Sequence, residues 1–430
     1  MKNLAQLPLI QPDTLRWAVF VGLFCTGAAL AQPALQPSSG PGGTPVINPA
    51  HGVPVIEIVP PNASGLSHNQ FIDYNVGKPG LVLNNSLQSG QSQLAGALAA
   101  NPQFHGQAAS TILNEVVSRN ASLIEGPQEI FGRAANYILA NPNGITLNGG
   151  SFINTTRAGF AVGTAEVQDQ QLKLLDTLQA SGSLQVLSGG HRNDGGALDL
   201  IAPQIHSTGE LGAKDDLNIT VGRNRIDAVT GNVVEHLAAT PSSIDAQLFG
   251  AMHAGRIRVV STGEGAGVRV GAVQVNGRDG VSIGSAGDLF ISGEPGQAAM
   301  LRSEQGLLAL QARDNLTLRA VDGQVKRIEA KAGQQLTLDT TTRETIAREQ
   351  ENWDKGWWFV TTETYNRDRT STERTLQGTT LQADEAVQLQ SGGDLRMVAA
   401  TLTSAGQINL VSGGKLDIDA GVDSKRVEQS

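Results

Sequence analysis

The sequence predicts an all-β chain wound into stacked parallel coils, and three observations carry that expectation. The first is a repeat. Val387-Gln388-Leu389-Gln390-Ser391-Gly392-Gly393-Asp394-Leu395-Arg396-Met397 returns as Ile408-Asn409-Leu410-Val411-Ser412-Gly413-Gly414-Lys415-Leu416-Asp417-Ile418, an offset of 21 residues (387 to 408), and weaker copies end at Leu289, Leu316 and Leu336. A period of about 20 residues, with apolar side chains alternating and Gly or Asn at the corners, marks coils that bury their inward face only against neighbours above and below. The second is short alternating runs punctuated by Gly, such as Leu198-Asp199-Leu200, Leu217-Asn218-Ile219-Thr220-Val221 and Ile257-Arg258-Val259. The third is composition: 51 Gly in 430 residues with 4% aromatics suits many short strands and tight turns better than helix bundles.

Taken in order, the chain opens with a processing segment. Lys2 and Arg16 supply positive charge, Trp17 to Leu30 is apolar, and Ala29-Leu30-Ala31 before Gln32 is a small-x-small cleavage site, so residues 1–31 read as a signal peptide. The apolar run is too short to span a bilayer comfortably. Cys25, the only cysteine, lies inside it behind Phe24, where a lipidated cysteine would need a small residue. The mature chain is therefore expected to have no thiol, disulfide or cysteine metal site. Residues 32–50 are Pro, Gly and Ser without a period, a flexible leader. Strands follow at Pro54 to Val59, Phe71 to Val76 and Leu81 to Ser86, with His68 and Tyr74 as packing and turn residues, and a turn at Asn101-Pro102-Gln103-Phe104. A formal charge of −9 argues against nucleic acid and anionic membranes as partners.

The next stretch is Ala140-Asn141-Pro142-Asn143-Gly144-Ile145-Thr146-Leu147-Asn148-Gly149-Gly150-Ser151-Phe152-Ile153-Asn154-Thr155. Pro142 pre-sets φ, Asn143 tolerates the third turn position and Gly144 closes a tight turn between two strands. Together these residues resemble the signature of the two-partner secretion domain. That domain opens the filamentous haemagglutinins and the related contact-dependent-inhibition and haemolysin exoproteins of Gram-negative bacteria. The resemblance implies a right-handed parallel β-helix with an N-terminal β cap. It also implies docking on the periplasmic POTRA domains of an outer-membrane transporter. Asn141, Pro142, Asn143, Gly144 and Ile145 are the candidate recognition residues, with Asn101 and Pro102 second. Either they touch the transporter or they only make turns whose loss misfolds the domain. The family's second motif has Asn and Leu where Gln103 and Phe104 stand, which puts a role for that Asn side chain in doubt. Cysteines found at the positions of Leu147 and Gly150 in haemolysin-like relatives are absent, which points to the adhesin branch.

The secretion domain is expected over 51–300, followed by repeats at 301–339 and 381–421 and a tail at 422–430. Two segments break the period. Ile226 to Met252 reads as an insertion whose last part, Ser242 to Leu248, is expected to be a short helix capped by Ser242 or Ser243. Residues 340–380 hold Trp353, Trp357 and Trp358 with Tyr365, Arg367 and Arg369. This segment reads as a hairpin that projects from the rod or lies along it, its aromatic and Arg residues serving either surface recognition or cover for the rod.

Chemistry finds little support. Gly280-Val281-Ser282-Ile283-Gly284 fits a hydrolase elbow pattern, but Ser282 falls mid-strand. The seven histidines show no i/i+3/i+4 pairing, and Asp199, Asp215, Asp216, Asp288 and Asp314 are scattered. The reading is a secreted, monomeric adhesin without enzyme activity, metal or cofactor, bound by its transporter and by a surface receptor or glycan that the sequence does not identify. The alternatives are the stem of a contact-dependent toxin-delivery exoprotein and a polysaccharide-active β-helix enzyme.

Overall fold

In the strand Leu395–Val398 the side chains of Leu395 and Met397 are buried and Arg396 is exposed. The same alternation recurs in Leu289–Ser292, Leu316–Arg319 and Leu336–Asp339. A strand with one apolar face must set that face against others like it. The computed structural model describes residues 35–237, 244–358 and 360–429. In it these strands stack in parallel and in register: Ile145, Leu184, Ile205, Ala246, Val268, Leu289, Leu316, Leu336, Leu395 and Leu416 form one column running through ten coils. This 11-stranded sheet is one wall of a parallel β-helix, and a 16-stranded sheet running from Leu66–Tyr74 to Gln407–Ser412 is a second. A five-stranded sheet built from Val46–Ala50, Val53–Glu57, Leu81–Asn85, Gln128–Gly132 and Phe152–Ile153 completes the early coils. The signal-peptide segment 1–31, with Cys25, lies outside the described residues.

Inside the walls a continuous apolar cluster reaches from Ile56 to Met397. Its large rings gather in the early coils, where Tyr137 and Phe152 lie 4.9 Å apart and Phe71 meets Tyr74 edge-on at 4.9 Å. Later coils are filled by Leu, Ile and Val. Tyr74, expected as packing, is fully buried, and His68 sits on the wall with Nε2 2.9 Å from Glu115 Oε2.

Within the expected flexible leader, 32–50, the described residues 35–50 depart from that expectation. Leu35–Ser38 pairs antiparallel with Leu66–Tyr74, and Val46–Ala50 pairs antiparallel with Val53–Glu57. Leu35 and Ile47 pack against the core. The first coil has no coil beneath it, so its open apolar end is what these strands cover. Composition hid this, because only two apolar side chains do the covering.

The expected helix over 242–248 is also corrected. Residues 238–243 lie outside the described residues, and Ala246–Leu248 is a strand of the 11-stranded wall, paired with Ile205–Ser207 and Val268–Val270. Ala246 and Leu248 are buried with Gln247 half-exposed between them, and this pairing overrides the local cap signal. Upstream, Thr164–Gln168, Gln171–Asp176, Asn224–Asp227 and Val233–His236 form a four-stranded antiparallel sheet. Leu172, Leu175 and Ile226 from it pack on Leu66, Leu113, Ala140, Ala161 and Ile201 of the long wall.

Leu336 pairs directly with Leu395, so the advance of 59 positions (336 to 395) makes a single coil step plus an excursion. The excursion is an antiparallel pair, Thr341–Trp357 with Val360–Gln377. Three Glu-Arg pairs face each other across it: Glu344 and Arg374, Glu349 and Arg369, Glu351 and Arg367. Opposite charges directly across a ladder favour this register over a slipped one. The expected tail is instead a third strand: Ser424–Gln429 pairs antiparallel with Val360–Gln377.

Candidate functional site

The strand Ala135–Ala140 lies between Thr111–Val116 and Thr155–Ala161 and ends at Asn141, because Pro142 has no N–H to continue the ladder. Asn141 then builds the corner. Its Oδ1 accepts from the backbone N–H of Asn143 at 3.0 Å, and its Nδ2 donates to Asn120 O at 2.9 Å and Ser122 Oγ at 3.0 Å. Asn143 Nδ2 donates to Ser118 O at 2.9 Å and to Asn141 Oδ1 at 3.0 Å. Gly144 closes the turn at φ +121°, a region L side chains seldom enter, and Ile145 drops into the core column. From the next coil, Ser181 N–H and Gly182 N–H both donate to Pro142 O, at 3.1 and 3.0 Å. A Cβ on Gly182 would overlap the Asn143 backbone. The turn is thus held from below by Ser118, Asn120 and Ser122 and from above by Gly182.

Asn141 is fully buried, and both of its amide hydrogens and its oxygen are engaged inside the chain. Gly144 and Ile145 are buried too, while Pro142 and Asn143 are half-exposed. Once folded, the corner offers a partner little beyond the rim of Pro142 and Asn143.

Asn101 repeats the device at another corner. Its Oδ1 accepts from Gln103 N–H at 2.9 Å, and its Nδ2 donates to Ile58 O at 2.9 Å and Asn84 O at 2.8 Å. Gln103 Nε2 reaches Glu57 O at 2.6 Å, doing for this corner what Asn143 does for the other. The two corners share no partner, so the candidate residues form two separate turns rather than one surface. Asn85, not singled out from sequence, does similar work: Oδ1 accepts from Ala109 N–H at 2.8 Å, and Nδ2 donates to Ala109 O at 3.0 Å and Arg133 O at 2.8 Å. An Asn at the end of an apolar run is the signal for it, since such an amide needs partners when buried.

On the hairpin, Trp353 and Trp358 are 47% and 79% exposed. Arg367 and Arg369 lie 4.0 and 3.9 Å from Glu351 and Glu349. The side chains of Trp357 and Tyr365 lie outside those described. Ser282 is exposed mid-strand between inward Val281 and Ile283, which excludes a strand-to-helix elbow there.

The signature glycines also seat a buried histidine. His191 Nδ1–H donates to Gly149 O at 3.1 Å, its ring meets Phe152 and Phe160 edge-on, and its Nε2 has no partner among the described residues. Burial pushes its pKa from 6.5 down to about 4. Between those values the unfolded chain binds a proton and the folded one does not, so stability falls as pH drops through that window, by about 3 kcal/mol at its lower end. Asp245 acts oppositely. Burial raises its carboxyl from 3.8 to about 6, so acidification through that range favours the folded form. His191→Phe is therefore expected to leave the pH 7 urea midpoint little changed and to raise the pH 4.5 midpoint above that of the unsubstituted protein.

Fold and corners together define the class: a capped parallel β-helix with Asn-Pro corners at Asn101 and Asn141 in its early coils. Residues 31–291 match the TPS secretion domain family, and the chain belongs to it. The chain is 45% identical over 252 residues to a hemolysin of Proteus mirabilis, covering 59% of this chain and 15% of that protein. It is 34% identical over 404 residues to a hemolysin of Serratia marcescens, covering 85% and 25%. The crystal structure of the filamentous hemagglutinin secretion domain superposes with a TM-score of 0.55 at 25% identity, over 90% of this chain and 100% of that one. The chain thus spans a quarter or less of these two hemolysins. The family is one of secretion domains, not of enzymes.

Proposed function

We propose that this chain is the export domain and first coils of a secreted, filamentous-haemagglutinin-like adhesin, carried across the outer membrane by a partner transporter. The periplasmic POTRA domains of that transporter take hold of the chain before it folds. The observation that supports this reading is the complete internal use of the Asn141 amide: a motif sealed into a corner is legible to a partner only before that corner closes. Strand edges left open at that stage suit docking by strand addition. Each finished coil then templates the next outside the cell and opposes backsliding. The test is expression with and without the partner transporter, with medium and cell fractions assayed for residues 32–430. Release that depends on the transporter is expected, and undiminished release without it overturns the proposal. Identity to two hemolysins favours a second reading, the start of a hemolysin. Lysis of erythrocytes by the full-length protein, against cell adhesion without lysis, separates the two.

A further inference from the structure

A groove of about 930 Å³ crosses seven successive coils on the long wall, from Arg192 to Asp384. Its cause lies in the backbone. Between the successive strands Met252–Ser261, Gln274–Ser285, Ala299–Ala312, Val321–Ala332 and Thr380–Ser391 the register slips four times, at Ala254/Arg256, Asn276/Gly280, Ser303/Leu307 and Val325/Arg327, and such bulges bend a strand. The bends stack, so the concavity runs along the helix axis. At parallel-strand spacing of ~4.8 Å, seven coils give it a length of about 30 Å.

One column of side chains paired residue on residue forms its floor: Arg192, Gly212, His253, Asn276, Arg302, Gln324 and Gln382. Outside Gly212, every rung presents an amide, a guanidinium or an imidazole. Asn276 Nδ2 lies 3.0 Å from His253 Nδ1, and Arg302 is paired with Asp322 at 2.8 Å, while Gln324 and Gln382 are exposed. Charges of both signs line the groove and balance, with Arg192, Lys214, Arg278 and Arg302 against Asp194, Glu210, Glu304 and Asp384.

We infer that this groove binds an uncharged, extended polysaccharide lying along the helix axis, about one sugar per coil. Four cationic and four anionic side chains give the lining no net charge to hold a polyanion or a polycation. A peptide strand would find no open edge, because the bordering backbone is already paired on both sides. It would also find little apolar lining, since Ala213, Ala254 and Val325 are the apolar side chains there. What the groove does present is a side-chain hydrogen-bond donor or acceptor at every rung but that of Gly212, at a spacing close to the advance of a β-linked pyranose. No Trp, Tyr or Phe among the described residues lines it, so recognition rests on hydroxyl hydrogen bonds, and affinity must grow with the number of sugars in register.

The test uses the purified protein with cellohexaose and chitohexaose as probes, their disaccharides as length controls, and a heparin hexasaccharide and an oligolysine as charged controls. Saturation-transfer NMR and calorimetry are expected to show a neutral hexasaccharide binding at least about tenfold more tightly than its disaccharide. Gln324→Leu with Gln382→Leu removes two exposed amides and leaves the fold intact by circular dichroism. It is expected to weaken hexasaccharide binding by about tenfold. Failure of both neutral hexasaccharides to bind, tighter binding of heparin or oligolysine, or full binding by the folded double variant would each overturn the inference.

Discussion

Asn141→Ala is expected to destabilise the folded domain by about 4 kcal/mol and to abolish accumulation of folded protein outside the cell. The side chain makes four hydrogen bonds: to Asn120 O and Ser122 Oγ as donor, and from Asn143 N–H and Asn143 Nδ2 as acceptor. A net loss of about 1 kcal/mol per bond, with further cost for buried groups left unpaired, sets that scale. Asn143→Ala keeps the Asn141 bonds to the coil below and loses two at a half-exposed position, to Ser118 O and to Asn141 Oδ1, so about 2 kcal/mol is expected. Urea denaturation of the purified variants measures both. A second comparison separates folding from recognition. Gly182→Ala presses on the backbone of the same corner from the coil above while leaving every motif residue unchanged. If Asn141→Ala and Gly182→Ala lower stability alike but only the former stops release, the transporter reads the motif itself. If both stop release, closing the turn is what export requires.

Gly392→Ala is the second large effect, expected at about 3 kcal/mol or more. The Cβ it adds would overlap the carbonyl oxygen of Gly333 in the coil below, as a Cβ on Gly333 would overlap Arg313 O and one on Gly413 would overlap Gly392 O. The repeat keeps glycine here because the missing Cβ would point along the axis into a neighbour that cannot move. Backbone overlap of this kind exceeds ordinary overpacking. Gly284→Ala is the control: its Cβ would come no nearer than 3.9 Å to Val259 O, and a change within about 0.5 kcal/mol is expected. Because coils unfold in part independently, amide exchange localised to 380–412 is the better readout than a single melting midpoint.

These two residues also show what could be read in advance. The leucines at 289, 316, 336, 395 and 416 mark the coil column in the sequence because burial of one face forces a repeat at coil spacing, and the structure pairs those same residues. Asn141 and Gly144 were legible as a turn, since their backbone geometry is local. The partners of this corner were not, because Ser118, Asn120, Ser122 and Gly182 come from other coils and nothing in their own neighbourhood marks them. The strands at 35–38 and 46–50 escaped for the same reason: two apolar residues in a Pro- and Gly-rich stretch carry no period. The groove was invisible because its floor column draws one residue from each of seven coils, at uneven intervals interrupted by the hairpin.

The most direct test of the stack is a disulfide trap between residues 59 positions apart (337 to 396). Thr337 and Arg396 lie opposite each other on adjacent coils, where parallel strands place Cα atoms about 4.8 Å apart, within disulfide range. Mild oxidation of Thr337→Cys with Arg396→Cys is predicted to give a rapid cross-link within one molecule, while Thr337→Cys with Asn366→Cys, on the hairpin, gives none. Cross-linking of the hairpin pair, or failure of the 337–396 pair in the folded protein, would contradict a helix that resumes one coil above the point where the excursion left it.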